Sequence, residues 1–187
     1  YVLDGEIDHR DSMGHRGAMG PGGVQWMTAG SGIVHSEMPS EALFERGGRM
    51  HGFQLWVNLP ADLKMTPPRY QEVAPGAVQV IAAADGLAQG RIVAGEALGV
   101  VGPIATTLPT AYQHWRLNPG AAVALPIAAA QRVAAYIFRG SARLGATATR
   151  VDEGGLAVMG HGELVRFGAD ADGPGADLLL MAAAPLN

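Results

Sequence analysis

Apolar and polar residues alternate along short segments of the chain, and turns rich in Gly or Pro separate these segments. The clearest segment is MHGFQLWVNLP. One of its faces carries His51, Phe53, Leu55, Val57 and Leu59, and the other carries Gly52, Gln54, Trp56 and Asn58. A period of two predicts a β-strand. The sequence therefore predicts an all-β protein.

Further strands are predicted in YVLDGEIDHRD, GGVQWM, GSGIVHSEM, AVQVIAAADG, GRIVAGEALG, AYQHWRL and VALPIAAAQRVAAYIFRG. The last segment is rich in Ala, which favours a helix. Pro126 interrupts that helix, and the run Tyr136, Ile137 and Phe138 favours a strand. EALFERGG predicts one turn of helix or none.

Two matches between distant segments indicate a duplicated β unit. YVLDGE from Tyr1 resembles YIFRGS from Tyr136, and MGPGGVQW from Met19 resembles MGHGELVRF from Met159. The matching segments are 135 and 140 residues apart, so a loop that differs by five residues accounts for both matches. A long approach leads to Tyr136 and none leads to Tyr1, so we expect the opening strands of the first unit to be missing.

Composition limits the classes of partner. The 187 residues allow one or two domains with a buried core. A net charge of −4 without a cluster of Lys or Arg argues against direct binding to nucleic acid or to anionic membranes. No apolar run is long enough to span a bilayer. The chain has no cysteine, which excludes thiolate metal ligands and is typical of a cytoplasmic protein.

The candidate site lies in GSGIVHSEMP, where one residue separates His35 from Glu37. On a strand these two side chains point to the same side. An imidazole and a carboxylate together favour a divalent first-row metal. Two ligands do not make a site, so others must come from elsewhere in the fold. On spacing alone, an ordinary polar pair at the edge of a sheet remains the alternative.

The other histidines are expected to have plainer roles. His9 and His15 flank a turn and are expected to be exposed. His51 begins a strand, where a structural role is expected and a role as ligand, or as donor to a ligand, is the alternative. His114 and His161 are expected to be structural.

The string GPGGVQWMTAGSGIVHSEMP, followed by GGRMHGFQLWVNLPADLKMTPPRYQ, strongly resembles the pirin family, whose members have two cupin domains. YVLDGEIDHRDSMG, GEALGVVGP and the terminal APLN fit the same family. The resemblance implies two double-stranded β-helix (jelly-roll) barrels in one chain. The N-terminal cupin would cover residues 1–75 and be incomplete on its N-terminal side. The C-terminal cupin would cover residues 76–187 and is expected to be truncated at its end.

The resemblance also implies a metal, usually iron, that three His and one Glu hold in the N-terminal barrel. Two of these ligands map onto His35 and Glu37, and the other two belong to an His-x-His pair that precedes Tyr1 and is absent from this sequence. Fe(II) is the expected metal, and other first-row metals are alternatives. With the offset of 140, His35 and Glu37 fall on Gly175 and Asp177, so the C-terminal cupin is expected to be metal-free.

For the activity, the resemblance implies an oxidoreductase of the quercetin 2,3-dioxygenase type, with Glu37 as both metal ligand and catalytic base. A small aromatic substrate suits the apolar positions Phe53, Leu55 and Trp56. One alternative is a non-catalytic metal-containing protein that binds a protein partner as a transcriptional cofactor, redox sensor or regulator of an enzyme. Another cupin reaction, such as an isomerisation, is a third possibility.

Overall fold

The computed structural model describes residues 1–186, which form two compact units, Tyr1–Val78 and Gln79–Pro185. Antiparallel strands make up nearly all of the regular structure in both units. This confirms the predicted all-β class and the jelly-roll type of fold. Within residues 1–186 no helix is long and apolar enough to cross a membrane.

The first unit contains three small sheets: β1 with β6, β2 with β3 and β5, and β4 with β7. Its strands are β1 Val2–Asp4, β2 Ile7–Asp11, β3 Arg16–Met19, β4 Val24–Thr28, β5 His35–Pro39, β6 His51–Gly52 and β7 Arg69–Val73. A short helix, α1 Glu41–Arg46, follows β5. The Ser40 hydroxyl caps this helix because it accepts a hydrogen bond from the Leu43 N–H at 3.1 Å.

The second unit contains a nine-stranded sheet whose central path runs β13-β17-β14-β18-β12-β9-β8, with β15 and β16 paired to β14. A separate hairpin joins β10 to β11. The strands are β8 Val80–Ala82, β9 Ala88–Ala94, β10 Glu96–Ala97, β11 Val100–Val101, β12 Thr110–Leu117, β13 Ala122–Pro126, β14 Arg132–Leu144, β15 Thr149–Asp152, β16 Leu156–Val158, β17 Leu164–Gly168 and β18 Ala176–Ala183. The Ala-rich segment is therefore not helical, as predicted, and forms the strands β13 and β14, which a turn at residues 127–131 joins.

Apolar side chains fill the core of the second unit. Trp115 is fully buried there, and its ring meets the edge of Phe167 with 5.3 Å between ring centroids. The indole N–H donates to Gln113 Oε1 at 2.9 Å, so the one polar atom of this side chain is satisfied. The core thus holds its largest ring in a fixed position.

The two units repeat the same local structure. In the first, Gly22 N–H donates to Val2 O at 2.8 Å and Val2 N–H donates to Gly23 O at 3.0 Å. In the second, Gly154 N–H donates to Ile137 O at 2.8 Å and Ile137 N–H donates to Gly155 O at 3.0 Å. Gly22 and Gly154 also share a left-handed backbone, with φ of 84° and 81°.

These hydrogen bonds support one sequence match and overturn the other. The match of Tyr1–Gly5 with Tyr136–Gly140 agrees with the equivalence of Val2 and Ile137. The match of Gly22 with Gly162 was wrong, because Gly154 occupies the position of Gly22. Gly-rich turns recur in both units, so a similar string of turn residues does not by itself identify the equivalent turn.

The correction also moves the counterparts of the candidate site. In the first unit β2 pairs with β5, which places His9 opposite Glu37. In the second unit the end of β14 pairs with β17, which places Leu144 opposite Phe167. Phe167 and Val165 are therefore the counterparts of Glu37 and His35, and the assignment to Asp177 and Gly175 was wrong.

The predicted strand over residues 51–59 is mostly absent. Only His51–Gly52 is a strand, because the pairing of β6 with β1 covers Val2 opposite Gly52 and Asp4 opposite His51. Most of the residues that follow are exposed, and Trp56 is 87% exposed. Alternation describes a strand only where a neighbouring strand accepts its hydrogen bonds.

Candidate metal centre

The candidate pair lies at the start of β5, directly after a tight loop. Gly30 in this loop has a φ of 53°, and a Cβ atom there would collide with the carbonyl oxygen of Thr66. The next residue, Ser31, donates its N–H to the same carbonyl at 2.8 Å. This contact fixes the loop, and the loop in turn sets where His35 begins the strand.

His35 and Glu37 lie on one face of the β2–β5 pair, as the sequence predicted. Asp11 is opposite His35 and His9 is opposite Glu37 in the antiparallel register. Directly opposite residues point to the same side of a sheet, so all four side chains share this face. The His9 and His35 rings confirm it, because their centroids are 5.8 Å apart.

The second unit identifies this face as the one that points into the unit. The counterparts Leu144, Val165 and Phe167 are all buried in the apolar core. The first unit therefore places His9, His35 and Glu37, two histidines and one carboxylate, where the second unit places apolar side chains. Apolar side chains offer no metal ligand, whereas imidazole and carboxylate do.

Both candidate side chains are exposed in the described structure, and a hydrogen bond orients one of them. Gln54 Nε2 donates to Glu37 Oε2 at 2.8 Å, and Trp56 Nε1 donates to Gln54 Oε1 at 3.1 Å. One carboxylate oxygen of Glu37 is thus held by an amide. His35 lies next to it on the same face and is accessible to solvent.

The structure corrects the prediction for His9, which is 1% exposed rather than a surface residue. Gln25 Nε2 lies 3.3 Å from its Nδ1 atom, and the Tyr70 hydroxyl lies 3.5 Å from its Nε2 atom. The burial of His9 could not be predicted from the sequence, because its contact Tyr70 is 61 residues away along the chain. His15 is exposed, as predicted.

The carboxylate of Asp11, the last residue of β2, accepts several hydrogen bonds near His35. Asp11 accepts hydrogen bonds from the His15 ring at 2.8 Å and from the Met13 N–H at 2.8 Å. Burial alone would raise the pKa of Asp11. Hydrogen bonds from His15, from the Met13 N–H and from Tyr70 outweigh that effect and lower the pKa of this carboxyl to about 2.

The pKa of Tyr70 is shifted in the opposite direction, upward. Burial raises the pKa of its phenol, and the hydrogen bond to Asp11 and the negative charges of Asp11 and Glu37 raise it further, to about 12. The phenol therefore stays protonated at every pH at which an enzyme works. The unfolded chain ionises near pH 10, so this contribution to stability is complete below pH 10 and is lost as the pH rises toward 12.

This shift gives the first prediction. In a spectrophotometric titration, the phenolate signal that Tyr70→Phe removes should develop near pH 12 in the folded protein. In Asp11→Asn the same signal should move to lower pH, because the acceptor and its charge are gone. Circular dichroism at each pH checks that the fold persists. Ionisation of Tyr70 near pH 10 in folded protein would contradict the described contact.

The remaining histidines do not join the pair. His51 contacts Arg49 and Phe53, with 2.9 Å between its Nδ1 and Arg49 Nη2. In the second unit His114 is buried and faces Asp177 at 3.4 Å. His161 is exposed and lies outside the strands, although Glu163 follows it at the same spacing as in the candidate pair. The His-x-Glu spacing therefore places both side chains on one face of a strand at His35 and Glu37, but not at His161 and Glu163.

The donor chemistry of His35 and Glu37 fits a divalent first-row metal. Among the residues that the structure describes, no group of three or more His, Asp or Glu side chains is arranged to hold a metal ion. The pair therefore fits as part of a ligand set that needs at least one more member.

Two jelly-roll units in one chain, one with polar and one with apolar interior positions, define the class as a two-domain cupin. The pirin family model matches residues 1–57. A pirin-like protein of Caulobacter vibrioides is 38% identical over 188 residues, which cover all of this chain and 65% of that protein. The chain belongs to the pirin family.

Solved structures agree with the fold. A quercetin 2,3-dioxygenase from Acinetobacter baumannii superposes with a TM-score of 0.91 at 30% identity, over all of this chain and 64% of that one. The Escherichia coli pirin YhhW in complex with nickel(II) superposes with a TM-score of 0.74 at 21% identity, over all of this chain and 71% of that one. The chain thus spans somewhat less than two thirds of the Acinetobacter and Caulobacter proteins.

Proposed function

We propose that this chain contributes the metal centre of a quercetin 2,3-dioxygenase-type oxidoreductase. The observation that carries the proposal is the pairing of β2 with β5, which presents His35 and Glu37 together on the face that corresponds to the interior face of the second unit. The similarity to the Acinetobacter quercetin 2,3-dioxygenase supports the choice of reaction.

In this proposal His35 and Glu37 supply two of the metal ligands. The His-x-His pair expected from the family resemblance would supply the others. Fe(II) is the proposed metal, and nickel or another first-row ion is the alternative. When bound, the metal would supply a Lewis acid that polarises the oxygen atoms of the flavonol.

The residues of this chain then have definite tasks. Glu37 would bind the metal through the carboxylate oxygen that Gln54 leaves free. The other oxygen, which accepts the Gln54 hydrogen bond in the described structure, would accept the proton of the flavonol hydroxyl once Gln54 releases it. In the overall reaction both atoms of O₂ enter the ring-opened ester, and one ring carbon leaves as carbon monoxide. Oxygen is the only oxidant, so no external reductant is needed.

The test is quercetin turnover by the full-length protein, including the segment expected to carry the His-x-His pair, after loading with Fe(II) or Ni(II). The visible absorbance of quercetin should disappear in the presence of O₂, with carbon monoxide released. Glu37→Gln keeps the shape of the side chain and removes the base, so turnover should fall by about 10²–10⁴-fold. Glu163→Gln, in the second His-x-Glu sequence, is the matched control and should leave turnover unchanged.

Two outcomes would count against the proposal. If the metal-loaded protein leaves the flavonol band intact with every first-row metal, the dioxygenase assignment is wrong and the regulator hypothesis gains support. If Glu163→Gln lowers turnover as much as Glu37→Gln does, the base lies in the second unit.

A further inference from the structure

His9 is a buried polar side chain whose role the proposed function leaves open. It is 1% exposed, it lies directly opposite Glu37, and its ring is 5.8 Å from the ring of His35. Burial of a polar ring is costly unless its nitrogen atoms find partners. The counterpart in the second unit is Leu144, so the fold itself does not need a polar group at this position.

The partners of His9 fix its tautomer. The amide nitrogen of Gln25 can only donate, so the Nδ1 atom at 3.3 Å accepts and the proton of the neutral ring lies on Nε2. Nε2 then points its proton toward the Tyr70 oxygen at 3.5 Å. Because both ring nitrogen atoms face protein partners, His9 is not arranged as a further metal ligand.

Both partners are themselves held by carboxylates. The Gln25 amide also donates a hydrogen bond to Glu72 Oε1 at 2.8 Å, and the Tyr70 hydroxyl donates a hydrogen bond to the Asp11 carboxylate. Gly17 leaves room for Glu72, because a Cβ atom at Gly17 would collide with the Glu72 carboxylate. A continuous set of hydrogen bonds therefore runs from Glu72 through Gln25, His9 and Tyr70 to Asp11.

We propose that His9 is a positioning residue of the metal centre, which fixes the ring of His35 while Gln25 and Tyr70 fix His9. The proposal rests on the proposed function, since it requires a metal at His35 and Glu37. Groups that orient metal ligands typically change metal affinity by 10–100-fold when they are removed. That range is for hydrogen-bonded groups, and His9 contacts His35 only through its ring, so an effect at the lower end, about 10-fold, is expected here.

The experiment uses Co²⁺ as a spectroscopic probe of the full chain. Competition with a chelator gives the dissociation constant, and the visible d–d bands report the ligand geometry. His9→Leu copies the residue of the second unit and should raise the dissociation constant by about 10-fold with altered bands. His9→Gln keeps one donor and one acceptor and should fall between the wild type and His9→Leu.

A matched control separates positioning from stability. His114→Leu removes a buried histidine of the second unit, so it should destabilise the protein without changing Co²⁺ affinity or spectrum. Gly17→Ala displaces Glu72, which orients the Gln25 amide, and retains the His9 side chain itself, so a smaller loss of affinity is expected. This variant keeps the proposal testable if His9→Leu does not fold.

The outcomes distinguish this inference from the proposed function. If the wild type binds no Co²⁺, Ni²⁺ or Fe²⁺, both fail. If the wild type binds metal and Gly17→Ala and any folded His9 variant match it in affinity and spectrum, only the role of His9 is refuted. Loss of affinity in His114→Leu equal to that in His9→Leu would also refute it.

Discussion

His35→Ala and Glu37→Ala should each leave the purified protein with little or no bound metal. Each change removes one ligand from the pair that β5 presents on the face that corresponds to the interior face of the second unit. Loss of a group that only orients a ligand already costs about 10–100-fold in affinity, so loss of the ligand itself should cost more. Elemental analysis of the full chain, purified from cells supplied with iron or nickel, measures the effect.

The chain offers a close control for this experiment. His161 and Glu163 repeat the same spacing but lie outside the strands of the second unit. His161→Ala and Glu163→Ala should therefore retain the metal content of the wild type. One full equivalent of metal in both His35→Ala and Glu37→Ala would show that the site lies elsewhere.

Phe167→Ala should lower the free energy of unfolding of the second unit by about 3–5 kcal/mol. Phe167 is 3% exposed, and its ring meets Trp115 at 5.3 Å, so the change leaves a cavity and removes an aromatic contact. Its counterpart Glu37 is exposed, and Glu37→Ala should change the stability of the metal-free protein by about 0.5 kcal/mol or less.

Urea denaturation of the metal-free proteins measures both changes. Circular dichroism follows the whole chain. In a background in which Trp26 and Trp56 of the first unit are replaced by Phe, the fluorescence of the buried Trp115 follows the second unit. A cost near zero for Phe167→Ala would mean that the pairing of β14 with β17 does not place this ring in the core. A large cost for Glu37→Ala would mean that Glu37 has a structural role.

The sequence predicted those features that depend on neighbouring residues. His35 and Glu37 share a face because a strand alternates, and this requires no knowledge of the rest of the fold. The strand through Tyr136 was predictable because Pro126 excludes a helix there and β-prone residues follow. The short helix after β5 was left open by the sequence, and Ser40 supplies the cap that stabilises it.

The features that the sequence did not predict depend on distant residues. His9 is buried because β5 lies beside it and Tyr70 contacts its ring, and neither neighbour is adjacent in sequence. The segment after Gly52 alternates like a strand, but pairing with β1 ends at β6. The counterpart of Gly22 was misassigned because the repeat is defined by the hydrogen bond from Gly154 to Ile137 and not by the amino-acid sequence of the turn.

Crystals of the full-length protein grown with nickel, measured at the nickel absorption edge, would locate the metal. One strong anomalous peak should lie beside β5, within about 2.0–2.2 Å of a His35 nitrogen and a Glu37 oxygen. A peak that lies away from both side chains, or beside His161 and Glu163, would contradict the proposed site.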